Sequence, residues 1–505
     1  MATVASQLTR IHDLEGTLTL SSIGGGAGAS ANTDIFLQNS QSAGRRQSNV
    51  TLGGFWLDDG GNNDLSAAGT HMGMWVWHTH YGVLTALQVW LGTSTANYDQ
   101  HAVPLTEYPN LGGWHRVWIH VGRTPDATGG TGLTESQARW FGLVQSLPTV
   151  GGTSQNLIMD AIDSATAGLL LTGTSGLWSD FVTSDENATN RYGVLISRAG
   201  VLYCLARLTL GSASSLAFDD SGFVIVFPDQ SLVASTFMGV TVDLQHASTS
   251  VAWANGVIRS AGTRQGDLVV TGTSGVFSAS NMTLRNLRTI DLTSACTLSA
   301  SNVSSCDKLN QSGATISGCT FSGATTADGE AFVISNNPAA ISDCSFTFSD
   351  GHAIEITATG TYTFTGNTFT GYGANGTNDA AIYNNSGGLV TLNISGGSTP
   401  TVRNGASAST TINNNVNVTL TGLRDNTEVR VYTAGTTTEL AGIEDATAGS
   451  ADNRTFTFSL AADTVVDIRI HKVTYETFAI YGYTVPSAAA SIPISQRFDR
   501  NYANP

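Results

Sequence analysis

Apolar and polar positions fall into three patterns along this chain. Between Asn49 and Leu171 they alternate: Met74-Trp75-Val76-Trp77-His78-Thr79-His80, Leu87-Gln88-Val89-Trp90-Leu91 and Trp114-His115-Arg116-Val117-Trp118-Ile119-His120-Val121. A period of two predicts strands. Turn signals such as Asp58-Asp59-Gly60-Gly61-Asn62-Asn63 and Asn110-Leu111-Gly112-Gly113 separate them. Thr134–Val144 is the one stretch that reads as a helix, with Thr134 as its N-cap. From Thr172 to Asn415 the pattern becomes short apolar runs, such as Val194–Ile196, Phe223–Phe227 and Leu268–Val270, between Gly, Ser and Asn turns. From Val416 plain alternation returns in Val416/Val418/Leu420, Val429/Val431, Phe456/Phe458/Leu460 and Val466/Ile468/Ile470.

The middle stretch repeats itself. Ala-Asp-Gly-Glu-Ala-Phe-Val-Ile (Ala327–Ile334) returns as Ser-Asp-Gly-His-Ala-Ile-Glu-Ile (Ser349–Ile356) and, more loosely, as Thr-Asn-Asp-Ala-Ala-Ile-Tyr (Thr377–Tyr383). A second element follows each copy: Ala340–Phe346, Phe364–Phe369 and Leu389–Ile394. Repeats of roughly 22 to 28 residues with two short strands and a turn are the signature of stacked β-coils. Alignment of the copies puts Ala331, Ala353 and Ala381 at one rung position. Phe332, Ile354 and Ile382 fall at the next, and Ile341, Phe364 and Leu392 at a third. Cys344 and Asn367 share a corner before a Phe, where a small polar side chain turns inward.

Ser-Gly-Cys-Thr-Phe (Ser317–Phe321) and Thr-Gly-Asn-Thr-Phe (Thr365–Phe369) resemble the right-handed parallel β-helix of pectate lyases and phage tailspikes. Gly-Gly-Trp-His-Arg-Val-Trp-Ile-His-Val (Gly112–Val121), after a meander of apolar strands, resembles the concanavalin-like lectin and glucanase jelly roll. The expected fold is therefore all-β. It has an extended N-terminal arm (1–48), a lectin-like jelly-roll sandwich (49–171) and a central parallel β-helix (172–415). A small antiparallel Ig-like or transthyretin-like β-sandwich (416–485) and a C-terminal arm (486–505) complete it.

Composition narrows the function. The charged fraction is 12% and Gly accounts for 56 of 505 residues, while the apolar fraction of 41% still supports a core. A net charge of −16 argues against phosphate-backbone binding to nucleic acid and against docking on an anionic membrane. Met1–Arg10 has neither the basic start nor the apolar run of a signal peptide, so synthesis in a host cytoplasm is expected. No run approaches the length of a membrane span. Cys204, Cys296, Cys306, Cys319 and Cys344 have no metal or disulfide spacing and are expected as buried thiols.

Candidate chemistry is sparse. Asp328, Asp350 and Asn378 share a register, with Glu330 and His352 two residues on, and a carboxylate pair there would suit glycoside cleavage. Asp-Gly before a strand is also an ordinary strand entry, and the drift to Asn favours that reading. His78 and His80 have zinc-compatible spacing, but they share a face with Met74 and Val76 and suit a core or interface. Asp58, Asn62 and Asp64 lack the glycine and closing glutamate of an EF-hand loop. No nucleophile elbow, P-loop or dinucleotide motif occurs, and neither a metal nor a cofactor is implied.

Side chains two apart share a strand face, which groups Trp114, Arg116, Trp118 and His120 against His115, Val117, Ile119 and Val121. The second set suits a core. The first, two indoles with a guanidinium and an imidazole, is expected as an outward or interfacial binding face. The alternative is a second buried layer with Arg116 paired to a carboxylate.

The order of parts resembles tailed-bacteriophage virion surface proteins: tailspikes, fibres and capsid decorations. That resemblance implies a non-enzymatic structural protein on the virion surface, homotrimeric, contacting other virion proteins and displaying a host-glycan-binding module. The alternatives are a phage depolymerase working on the β-helix flank and a bacterial surface adhesin.

Overall fold

The computed structural model describes residues 2–24, 28–47, 52–79, 84–107, 113–147, 155–185, 192–262, 264–323, 331–347, 351–373, 380–450, 453–486 and 488–500. It is nearly all β; among the described residues the one α-helix is Trp178–Asp185. The chain forms two compact units, Met1–Thr297 with Ser305–Asp307, and Leu298–Ser304 with Lys308–Pro505.

The first unit begins with two antiparallel sheets of six described strands each. One runs Gly113–His120, His71–His78, Gln155–Ala165, Ser42–Gln47, Ser30–Asn32, with Thr9–His12 also on Gln155–Ala165. The other runs Ala127–Gly129, Tyr98–Val103, Ala86–Gly92, Ala138–Ser146, Gly53–Asn63, Thr19–Gly24. Their inner faces close on one core. Met72, Met74, Val76, Val117 and Ile119 meet Phe55, Leu57, Val89, Leu91, Phe141 and Leu143 there. His78 is wholly buried on the same face as Met74 and Val76, as their shared period requires; His80 lies outside the described residues.

Two expectations fail here. Residues 1–48 are not an extended arm: they supply strands to both sheets, and Ala2–Ser6 pairs antiparallel with Leu169–Gly176. The polar composition hid two buried charges that anchor the segment. Arg45 bonds the carbonyls of Ile23 (2.5 Å), Gly24 (3.3 Å) and Gly54. Asp160 accepts the amides of Leu37 (2.8 Å) and Gln38 (3.1 Å). Nor is Thr134–Val144 a helix. Glu135–Gln137 makes one 3-10 turn, and Ala138–Ser146 is a central strand between Ala86–Gly92 and Gly53–Asn63. Both faces of that strand are covered, so its apolar run has no period to separate it from a helix.

Parallel coils follow, with three strands per turn. Arg207–Leu210, Gly239–Asp243, Asp267–Thr271 and Thr289–Asp291 stack along one side. Leu216–Ser221, Ser250–Ala254 and Val276–Ser280 form a second, and Val224–Phe227, Val257–Ser260 and Thr283–Arg285 a third. Inward columns run through Leu208, Val240, Leu268 and Ile290, and through Phe218, Val251 and Phe277. Trp178 of the helix enters this interior, 5.1 Å from Phe218 and 5.7 Å from Trp253 between ring centres.

The second unit continues in the same style. Phe321, Phe346 and Phe369 stack in register, their rings 4.6 and 5.2 Å apart. At the expected corner, Asn367 is buried and its Oδ1 accepts the Cys344 amide at 3.0 Å, while its Nδ2 donates to Ile341 O at 2.7 Å. The rung alignment is corrected at two points. Ile354 does stack on Ile382, but its other neighbour is Val333, with Ala331 opposite His352. Phe364 stacks on Ile394, not Leu392, which pairs with Tyr362. Asp328, Glu330, Asp350 and Asn378 lie outside the described residues.

Two four-stranded sheets end the second unit around Val418, Leu420, Val429, Val431, Phe458, Val466, Ile468 and Ile470. The expected C-terminal arm is in part a strand of this sandwich: Ala490–Pro493 pairs in parallel with Asn415–Leu423.

Candidate functional site

The four residues expected as a binding face do share one face, and that face is covered. Arg116 and Trp118 are each 2% exposed, while Trp114 and His120 are half-buried. Asp163 explains the burial of charge: Arg116 Nη2 reaches its Oδ2 at 2.5 Å, and Arg10 Nε reaches its Oδ1 at 2.5 Å. Arg116 Nη1 also donates to Ala161 O at 2.9 Å, and the guanidinium lies 4.7 Å from the centre of the Trp118 ring. Gly193, at φ +64°, presses against Trp75 and Arg116, where a Cβ would come within 2.7 Å of the indole. Only glycine fits there. The alternative reading, a second buried layer with Arg116 on a carboxylate, is the arrangement found, so Trp114, Arg116, Trp118 and His120 form no open site.

His71, on the same strand face as His120, joins this layer to the loop after Val224–Phe227. Its ring stacks 3.7 Å from Phe237, its Nδ1–H donates to Gly69 O (2.8 Å), and its Nε2 accepts the Ala234 amide (3.1 Å). A neutral ring is required by that pair of bonds. Burial, with the charge of nearby His120 adding to it, pushes the His71 pKa down to about 4, and burial with Arg123 does the same to His101. Asp160 moves oppositely, raised by burial to about 6. Because the folded histidines refuse a proton that the unfolded chain takes up below about pH 6.5, they stabilise fully above that pH and lose this contribution as pH falls toward 4. Asp160 gains stability over part of the same range and offsets one of them. Replacement of His71 by Gln removes a titrating group, so the variant's melting temperature should fall less steeply than the wild type's between pH 6.5 and 4.5. The difference amounts to roughly 1.4 kcal/mol per pH unit, and parallel curves would show that His71 does not titrate differently on folding.

The sheet's opposite partner carries a different surface. On the strands whose inner residues are Phe55, Leu57, Val89 and Leu91, the outer residues are Trp56, Asp58, Gln88 and Trp90. Gly142 pairs with both Trp56 and Trp90, and the two indoles close over it; a Cβ there would lie 2.9 Å from the Trp56 ring. Trp90 stacks flat on Tyr98 at 4.7 Å and donates its indole N–H to Gln88 Oε1 at 2.9 Å. Trp56 and Trp90 are 4% and 5% exposed and act as a floor, while Tyr98 and Trp140 remain half-buried at its border. Trp140 sits across from Asp58, whose carboxylate is gripped by the Arg139 fork, Nε to Oδ1 and Nη2 to Oδ2 at 2.8 Å. Arg139 holds Asp58 below the usual carboxylate range, so it is ionised and unsuited to donate a proton. The face offers flat apolar area beside fixed polar groups. Alternation about Phe55–Leu57 and Val89–Leu91 was the signal for it, since it turns Trp56 and Trp90 outward.

On the second unit, His352 is buried, with Nδ1 2.6 Å from Ala380 O and Nε2 accepting from Arg403 at 3.2 Å.

No family model and no curated protein matches this sequence. Solved structures similar to it include a family 11 carbohydrate-binding module from Clostridium thermocellum in complex with a β-1,3-1,4-mixed-linked tetrasaccharide. That module is 12% identical over 32% of this chain and 96% of its own, with a TM-score of 0.23. An exo-β-agarase is 10% identical over 32% of this chain and 24% of its own, with a TM-score of 0.22. The catalytic unit of an α-1,3-glucanase from Streptomyces thermodiastaticus strain HF3-3 is 11% identical over 82% of this chain and 95% of its own, with a TM-score of 0.20. At such scores these likenesses carry no inference about ligand or activity.

Proposed function

We propose that this chain is a non-enzymatic structural protein that binds glycans, of the kind displayed on tailed-phage particles. In this reading the antiparallel sheets are a lectin-like jelly roll, the coils are a right-handed parallel β-helix, and the protein assembles as a homotrimer. The outer aromatic face of the first unit carries the proposal. Trp140, half-buried at the border of Trp56, Trp90 and Tyr98, presents ring area to which the apolar face of a sugar can stack. The Asp58–Arg139 fork beside Trp140 supplies fixed donors and acceptors for hydroxyls. Asp58, held ionised by that fork, suits binding better than acid catalysis.

The test is an array of bacterial surface polysaccharides probed with the full chain and with Trp140→Ala. Retention of at least one polysaccharide, weakened tenfold or more in the variant at an unchanged melting temperature, is the expected outcome. Absence of any bound polysaccharide would overturn the binding reading. New reducing ends in the bound fraction would replace it with a depolymerase.

A further inference from the structure

A second feature of the first unit is a cleft of about 140 Å³, away from the aromatic face. One wall is the hairpin of Leu195–Arg198 and Val201–Cys204, closed by Ala199 and Gly200 at φ 50° and 79°. Both left-handed positions match the tight two-residue turn that such a hairpin needs. Ile196 lies directly opposite Tyr203, and with Leu205 they make this wall apolar. The rest of the lining is mostly polar: Glu107 at the end of the Leu105–Glu107 turn, Asp229 and Gln230, with His115, Arg116 and Pro228 beside them. It is braced from behind. Glu107 Oε1 accepts the Ser231 amide at 3.0 Å, and the Gln230 backbone exchanges bonds of 3.0 and 3.2 Å with the Gln265 side chain. Arg198 also lines the cleft and brings a donor.

One atom of this lining is unsatisfied. Gln230 Oε1 is buried and has no hydrogen-bond partner among the described residues. A buried acceptor left unpaired costs on the order of 1–3 kcal/mol, so it is a place for a donor from outside. Glu107 and Asp229 are acceptors too. Burial raises the Glu107 pKa, and the charge of Asp229 adds to the rise; with Arg116 and Arg198 also on the lining, acidic and basic side chains are equal in number, which suits a neutral ligand.

We propose that this cleft is a binding site for one neutral sugar residue. A pyranose has an apolar C–H face and a rim of hydroxyls, and the cleft lining sets Ile196, Tyr203 and Leu205 together with acceptors and two arginines. Acceptors call for O–H donors, which a neutral sugar has in number. A cleft of about 140 Å³ is below the range of roughly 300–1,000 Å³ usual for drug-sized ligands, so a small ligand such as one sugar ring suits it. The site rests on the glycan-binding reading for its role, but it uses none of the residues of the aromatic face.

The experiment is saturation-transfer NMR on the full chain with glucose, galactose, mannose and N-acetylglucosamine at millimolar concentration. It is repeated with Trp140→Ala and, in that background, with Gln230→Met, which keeps the Gln265 contacts to the backbone, and with Tyr203→Ala. The expected result is transfer to at least one sugar that persists in Trp140→Ala, and in that background Gln230→Met and Tyr203→Ala each reduce it tenfold or more. Melting curves show whether each variant is folded, and the two cleft variants act through different parts of the lining, so one folded variant suffices. No transfer to any of the four sugars, or transfer untouched in a folded cleft variant, overturns the proposal. Failure here with polysaccharide still retained on the array leaves the aromatic face standing. Transfer here with nothing retained on the array has the reverse meaning.

Discussion

Ile354→Asp is expected to unfold the coils of the second unit, while Glu355→Ala leaves their melting temperature almost unchanged. The two residues are neighbours on the strand His352–Ile356, and its pleat sends them to opposite sides. Ile354 is fully buried and stacks in register between Val333 and Ile382. Aspartate there loses about 2–3 kcal/mol of apolar transfer, and its carboxylate meets no donor in an aliphatic column. An uncompensated buried polar group adds several kcal/mol more. Because each coil is held by its two neighbours, the damage spreads along the stack. Glu355 is partly exposed, with its Oε1 2.8 Å from Asn385 Nδ2. A surface contact of that kind is worth about 0.5 kcal/mol. Thermal unfolding followed by circular dichroism compares the two variants, and coincident melting curves would show that the assigned register is wrong.

That column shows what the sequence could reveal of the coils. Ile354 and Ile382 align by eye because their strands carry like residues, and the ladder pairs them. Ala331 and Ala353 align equally well by eye, yet the ladder sets Ala331 opposite His352. What the two strands share is burial rather than identity. Ala331–Ser335 and His352–Ile356 have the same order of three buried positions, one partly exposed and one buried. A shift of one residue would have sent Val333 out of the column and a polar atom in. The turn position of Cys344 and Asn367 was legible for a sharper reason, since only a side chain with its own donors and acceptors can satisfy a buried corner.

The sites were harder to read, because alternation tells which residues share a face but not what lies over it. Trp114, Arg116, Trp118 and His120 share a face, and so do Trp56, Asp58, Trp90 and Trp140 through their neighbouring strands. The first face is roofed by Gly193 and Phe237, which lie more than 70 residues further along the chain. No local pattern announces such a roof. The N-terminal segment misleads for the opposite reason. Its residues look solvated, and the buried groups that hold it, Arg45 and Asp160, are charges that a composition-based reading sends to the surface.

Asp163→Ala is expected to destabilise the first unit by about 3–5 kcal/mol, the range for one partner removed from a buried ion pair. Asp163 is 1% exposed and takes a guanidinium on each oxygen, Arg116 on one and Arg10 on the other. The two arginines are not equivalent. Arg116 has a fully buried side chain, whereas Arg10 is 27% exposed and also donates to Gln38 Oε1 at 2.8 Å. Without Asp163, Arg10 can turn to water. Arg116 cannot, because Trp75, Trp118 and Gly193 enclose it and its bond to Ala161 O carries no countercharge. Arg10→Ala should therefore cost only about 1 kcal/mol, as for a pair open to solvent. The double replacement Arg116→Met with Asp163→Leu should recover much of the loss in Asp163→Ala, since it removes both buried charges and keeps the volume. Urea unfolding monitored by tryptophan fluorescence reads all three, because Trp75 and Trp118 flank the guanidinium. If Asp163→Ala unfolds at the wild-type urea concentration, Arg116 is not confined and the face it shares with Trp114, Trp118 and His120 is open after all.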